Sequence, residues 1–523
     1  MILGAFPFLY AETHYRLPFL FNRLFKKEPE LIADVPYRVL KSASLPVLLL
    51  VKDAHLFPTR VISVKLFIDG QRFAEERLNF LAKQKFNERI LEFDVSRFSA
   101  GWHEIQIKIT YEVDGKTRVC FADNYRTTRH RPFRCYFAAE SLPRKHDYFS
   151  GDFHSHSSFT EDQIEFGASL SAMKRMAEAV ELDFFCVTDH SYDLDDAVDN
   201  YLKNDPSFPK WQRFQKEVKT LNSKGKGPLI IPGEEVSVRN AKNQTVHLLI
   251  LNHPQFIPGS GDSGERWFSN KSELSVKQIL SQIDGGALAI PAHPAQKVPF
   301  AQKLFINRGP WTPGDLLRHH FNGLQFINGN QPSGVKRGMA LWKSLLLQGK
   351  KIFPAAGNDA HGHFNRVREI AIPFIRLKEH GHHVFGQWRT LIHCSGRPQH
   401  PQQVLDCFKK GRILLTNGPF LEISAFSGQK QFFAGQCAPE LDSVKVEALA
   451  NHETGAITQI VLWAGFPTQK REQVIWQKDF TTQSVFSFSR KISLALNRLT
   501  GYIRAEIKSE YGMALTNCIW IED

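Results

Sequence analysis

Several features are missing from this 523-residue chain. No run approaches the roughly 18 apolar residues that a membrane-spanning helix needs, and SLPVLLLV at 44–51 is only strand-sized. The seven cysteines (120, 135, 186, 394, 407, 437 and 518) cannot all pair internally, and none forms a CxxC; they read as the reduced thiols of a cytosolic protein. The apolar N-terminus MILGAFPFLYAETHYRLPFLFNRLFKK has no basic region before it and no small-residue cleavage site after it, so it reads as mature sequence. There is no internal repeat and no linker rich in Pro, Gly or Ser, which predicts closely packed domains. With no GxSxG elbow, Ser-His-Asp order or Walker loop, covalent serine chemistry and nucleotide-fuelled chemistry are disfavoured.

What is present is ordinary globular material: 42% apolar, 23% charged and 12% aromatic residues, enough for two to four domains and incompatible with disorder. Lys plus Arg exceeds Asp plus Glu by 13, which favours anionic partners without choosing among them. The excess is uneven. Residues 151–200 hold 12 acidic and 2 basic residues, whereas residues 1–150 hold 24 basic and 17 acidic.

The pattern changes twice along the chain. Residues 1–145 contain β-rich runs such as RVISVKLFI and HEIQIKITYEV separated by Asp-Gly turns, which predicts an N-terminal β-sandwich of immunoglobulin-like size. Over 146–404, strand-like runs (DFFCVT, PLIIP, VHLLIL, ALAIP, LQFI, IFPAA) alternate with helix-like stretches such as SLSAMKRMAEAVE, which predicts βα units and a mainly parallel sheet or barrel. A helix-like VLDCFKKGR and further strands over 405–523 predict a C-terminal β-domain.

The chemistry lies in the central segment. His154 and His156 form an HxH pair, and in extended chain residues two apart face the same side, so both imidazoles can meet one ion. Further candidate ligands recur at strand ends or within strands: Asp189-His190 after DFFCVT, Glu234-Glu235 after PLIIPG, His247 inside VHLLIL, His293 after ALAIPA, and Asp359 with His361 after IFPAAGN. Ligands from separate strand ends converge when the loops after parallel strands share one face. A mixture of His nitrogens and carboxylate oxygens without Cys suits divalent Zn, Mn or Fe.

The motifs GDFHSHSS, DFFCVTDH, IIPGEEVS, TVHLLIL, IPAHP and GNDAH, spread over residues 150–365, resemble the PHP (polymerase and histidinol phosphatase) superfamily of metal-dependent hydrolases. The tail, with NGPFLEIS, GYIRAEIKS and ALTNCIWIED, resembles the esterase-like CehA/McbA branch. The resemblance implies a multidomain α/β protein in which a distorted (β/α)7 barrel is flanked by N- and C-terminal β-sandwich-like domains. It also implies two or three divalent ions per chain. His154, His156, Glu235 and Asp359 would bind the first ion, and Glu235 would bridge to a second held by His247 and His293. A third would take His190, His361 and an acid from the loop after the HxH pair; the family's spacing selects Glu161, and Asp162 follows it.

The implied reaction is ester hydrolysis by a metal-bridging hydroxide, with His190, His361 and Asp359 as the catalytic candidates and His190, His361 or a residue supporting the ligands as the source of the general acid. The expected substrate is a small phosphoric ester. A carboxylic or carbamate ester is the alternative, and a binding protein with structural ions a second alternative. Asn358 and Arg366 flank the last motif and could contact substrate, as could His363 and Asn365. Glu234 reads as a surface or supporting group, while Asp152 and Asp189 read either as partners of a ligand imidazole or as turn caps. EHGHH at 379–383 reads as a solvated loop, and His319-His320 as a polar helix end. RTTRHRPFRCYF at 126–137 is the best nucleic-acid candidate, but a basic connecting strand is the favoured reading.

Overall fold

The computed structural model describes residues 28–124, 131–160, 167–198, 200–261, 271–366, 369–372, 375–378, 381–481, 484–494 and 501–522. The N-terminal 27 residues, Glu161, Asp162 and the start of the basic segment therefore lie outside the described residues.

At the N-terminal end, a three-stranded sheet (Glu30–Asp34, Ser44–Lys52, Phe86–Asp94) and a six-stranded sheet enclose one apolar core. The alternation in Gly101–Val113 explains how: His103, Ile105, Ile107, Ile109, Tyr111 and Val113 are buried, and the residues between them face outward. The described part of the basic segment forms Phe133–Ala138, paired with Gly101–Val113 and with Arg38–Leu40.

The central segment departs from the expected (β/α)7 barrel. The chain is mostly β, 46% strand against 16% helix with eight helices among the described residues, and its sheets are of mixed type. Tyr148–His156, Phe184–Val187 and Leu229–Arg239 follow one another in parallel, joined through the helices Leu170–Ala179 and Pro209–Ser223. The five residues between Leu229–Arg239 and Thr245–Leu251 are too few for a crossover, so these strands pair antiparallel, and Leu288–Pro291 adds on antiparallel too. Gly323–Asn328 and Phe353–Gly357 form a separate parallel pair. Apolar runs thus identified strands correctly, while their partners were set by connection length.

Tyr148–His156 is buried throughout, with Phe184–Val187 on one side and antiparallel Arg389–His393 on the other. Through Arg389–His393 and Ile413–Thr416 the same 14-stranded sheet continues into the C-terminal strands. There it shares a core with a four-stranded sheet containing Phe420–Ser427 and Ser443–Leu449. Cys394 and Cys407 are joined by a disulfide, which corrects the expectation that all seven thiols are reduced. No helix among the described residues is long and apolar enough to cross a membrane.

Candidate metal centre

Six stretches of chain deliver imidazoles and carboxylates to one buried pocket. His154 and His156 leave the end of Tyr148–His156 on the same face, as their spacing requires, with Nε2 atoms 3.2 Å apart. His190 follows Phe184–Val187 and precedes the short helix Ser191–Leu194. Glu235 and His247 come from adjacent antiparallel strands; Ser237 lies directly opposite His247, and Glu235 shares the face of Ser237. His293 follows Leu288–Pro291, and Asp359 and His361 follow Phe353–Gly357. The last strand can approach because residue 357 is glycine: a Cβ there would lie 2.5 Å from Cβ of His154. Asp359 is held at φ +53° and His293 at φ +32°, backbone conformations uncommon outside glycine.

Glu235 is the hub. Its Oε2 lies 3.1 Å from His154 Nε2, 3.2 Å from His156 Nε2 and 3.3 Å from His190 Nδ1. Its Oε1 lies 2.5 Å from His247 Nδ1 and 3.0 Å from His293 Nε2. Asp359 Oδ1 lies 3.5 Å from His154 Nε2 and 3.3 Å from His156 Nε2. The His361 ring stacks on that of His156 with centroids 4.1 Å apart. Three overlapping groups have ligand atoms close enough to share an ion: His154, His156, Glu235 and Asp359; His190, Glu235 and His247; and His156, His190 and His361. All eight described ligand candidates are therefore brought together.

The donor count shows what the pocket suits. Both nitrogens of His190 and Oδ1 of Asp359 are buried without a hydrogen bond, although ring nitrogens and carboxylate oxygens crowd within 3.5 Å of one another. A divalent cation satisfies such a set, and His nitrogens with carboxylate oxygens are its ordinary ligands. Without an ion, the groups lean on one another. Burial opposes charge on Glu235 and Asp359, yet the surrounding imidazoles hold both carboxyls well below the usual carboxylate range. Burial and His361 pull His156 down, but Asp359 and Glu235 more than reverse this and hold it up at about 9. His190 is pushed well below the usual imidazole range by burial, despite the attraction of Glu235.

Asp152, Asp189 and Glu234 act within the alternatives set out above, whereas Asn358 and Arg366 are taken up by the protein. Asp152 accepts from the backbone amides of His154, Asn358 and Gly386, fixing the chain rather than an imidazole. Asp189 accepts from Ser157 and Thr160; Thr160 Oγ1, 2.9 Å from Asp189, lies 3.3 Å from His156 Nδ1, so Asp189 orients that ring at one remove. Glu234 is buried beside Ser191, and burial pushes its carboxyl up to about 8. Asn358 is spent on the protein: its amide donates to Asp152 and the Trp388 carbonyl and accepts from the Trp388 amide. Arg366 lies against Asp34, which accepts its backbone N–H at 3.0 Å. The described part of EHGHH is not a solvated loop: His382 and His383 are half-buried, and His383 Nδ1 pairs with the Asn358 carbonyl at 2.8 Å. His319 caps the end of Pro313–Arg318, in keeping with its reading as a helix end.

Sequence reasoning missed Thr160, Arg308, Gln325 and Asn328. Gln325 left a signal, a lone amide inside the apolar run Leu324-Gln325-Phe326-Ile327. Arg308 is buried, with Nη2 3.0 Å from His247 Nδ1, but its stretch of sequence carries no motif. No family model matches the chain, and no curated protein matches it significantly in sequence.

Proposed function

We propose that this chain is a metal-dependent hydrolase of phosphoric esters, related to the PHP superfamily. The observation that carries the reading is the buried convergence of five imidazoles on Glu235, with the Asp359 carboxylate against two of them and His190 left without a hydrogen bond. Bound divalent ions would supply Lewis acidity and activate water there. His154, His156 and Asp359 would hold them on one side of Glu235, and His247 and His293 on the other, with His190 and His361 flanking. Zn, Mn and Fe all suit these ligands.

Arg308 supports a phosphoryl substrate over a neutral ester. Its guanidinium, buried beside the His247 side of the pocket, adds fixed positive charge where an anionic group would be held, and a planar fork matches phosphate oxygens. His361 stands at the pocket as the candidate for protonating a leaving oxygen, burial holding the neighbouring His190 neutral, and Asp359 lies against the first pair of rings. Thr160 with Asp189 holds the His156 ring in place. The Cys394–Cys407 disulfide removes the ground on which a cytoplasmic location was expected, and the hydrolase reading does not depend on compartment.

The test is a panel of aryl phosphates and aryl acetates on metal-reconstituted protein. Phosphatase turnover that falls in Arg308→Met supports the reading. A strong acetate rate with no phosphatase rate would select a carboxylic-ester hydrolase, and firm metal binding without turnover of either class would select a metal-stabilised binding protein.

A further inference from the structure

One neutral side chain touches both sides of the pocket. Gln325, fully buried on Gly323–Asn328, accepts the backbone N–H of His293 at Oε1 (2.7 Å), and the same oxygen lies 3.3 Å from His154 Nδ1. Its Nε2 donates to the Ile327 carbonyl and to Asn328 Oδ1, both at 2.9 Å. Asn328 passes the link on, donating from Nδ2 to Asp359 Oδ2 at 3.0 Å.

These contacts allow one amide orientation. Flipped, Nε2 would face the His293 N–H, and Oε1 would face two acceptors. With Oε1 fixed as an acceptor, a proton of His154 belongs on Nδ1, and Nε2 is the ring atom turned to Glu235 and His156 and available to an ion. The same oxygen anchors the backbone of His293 at its positive φ, and the Asn328 relay steadies Asp359 at its own. His154 and Asp359 stand on one side of Glu235, and His293 on the other.

We propose that Gln325 is a positioning residue that sets the His154 tautomer and ties both sides of the pocket together, so that divalent ions are taken up as a unit. This rests on the metal reading above. A single outer partner of a metal ligand is typically worth about 10–100-fold in metal affinity. Gln325 serves ligands on both sides, so its loss is expected to weaken every ion rather than one.

The experiment uses the full chain, stripped with chelator, in two variants. Gln325→Met keeps the length and removes every hydrogen bond; Gln325→Glu keeps an acceptor for His154 and His293 but turns the donor toward Asn328 into a second acceptor. Calorimetric titration with Zn²⁺ is paired with ring-nitrogen NMR of the metal-free protein, the His154 signals being assigned by their absence in His154→Asn. The expected result is a cooperative isotherm and an Nδ1–H tautomer in the unsubstituted chain. In Gln325→Met the tautomer becomes mixed, affinity falls about 10–100-fold for all ions, and the isotherm separates into steps. Gln325→Glu is expected to retain the tautomer and recover part of the affinity, which also keeps the test open if the Met variant does not fold. Zinc binding and tautomer indifferent to both substitutions, or loss of one ion alone, would overturn the coupling. An unsubstituted chain that takes up no zinc would overturn the metal reading itself, and the coupling with it.

Discussion

Two clusters of charge in the interior differ in how their polar atoms are satisfied. At the junction of the three parts of the chain, Arg38 from the N-terminal sheet is fully buried. It meets both oxygens of Glu453 at 2.8 and 2.9 Å and pairs also with Glu181, so its guanidinium donors face carboxylate oxygens. In the candidate metal centre, Nε2 of His154 faces Nε2 of His156 across 3.2 Å and two carboxylates, and His190 finds no hydrogen bond for either nitrogen. Burial alone therefore does not mark a functional site. Clustered ligand atoms left without a hydrogen bond do, because folding has left them for something outside the chain to satisfy.

The largest effect that tests this contrast is functional. Glu235→Ala removes the group that faces five imidazoles and is expected to abolish both metal retention and hydrolysis, read by elemental analysis and turnover; retention of a full metal complement would contradict the contrast. Arg38→Met is the mirror experiment. It leaves two partly exposed carboxylates without their cation, at a cost below the about 3–5 kcal/mol of a fully buried pair, while metal content per folded chain stays unchanged. A lower denaturation midpoint with intact stoichiometry is the expected pair of readings.

A smaller effect separates the clusters by pH. Without metal, His156 is held up at about 9 by Asp359 and Glu235, so its contribution to stability is complete below its ordinary value near 6.5 and is lost as pH rises through about 9. Metal uptake runs the other way, because a ligand imidazole must be neutral. The stripped protein is expected to lose stability between about pH 6.5 and 9, and the loaded protein to bind more tightly over the same window. Arg38 does not titrate there, so Arg38→Met should leave both trends intact. Parallel pH profiles for stripped and loaded protein would count against the assignment.

The ligands were legible in the sequence because their arrangement obeys local rules. A two-residue spacing in extended chain puts His154 and His156 on one face, and strand ends carry His190, His293 and Asp359 into a shared space. Pairing was not legible in the same way. PLIIPGEEVSVR and TVHLLIL read as successive strands of a βα pattern, and only the short connection between them reveals a hairpin. Cys394 and Cys407 carry no sequence signature of their contact, which arises where the end of Arg389–His393 meets the helix Pro401–Lys409. His383 was read as solvent-facing because its neighbours are polar, yet it holds the Asn358 carbonyl. Arg366 and Asn358 sit next to ligands in sequence and are occupied by Asp34, Asp152 and Trp388, contacts between segments far apart in the chain.

The remaining strands also have a purpose. Asp34 accepts from three successive amides at 364–366, just beyond His361, and Tyr37 donates to the Gly386 carbonyl while accepting from Arg389. Gly386 in turn donates to Asp152, which fixes His154 and Asn358. The N-terminal sheets thus brace the loops that present the ligands.

The most direct test of the central claim is zinc titration of the chelator-stripped chain, with bound metal counted after dialysis. The overlapping ligand groups predict at least two ions per chain and a raised denaturation midpoint, both lost in Glu235→Ala. A stripped chain that takes up no zinc and shows an unchanged midpoint in its presence would contradict it.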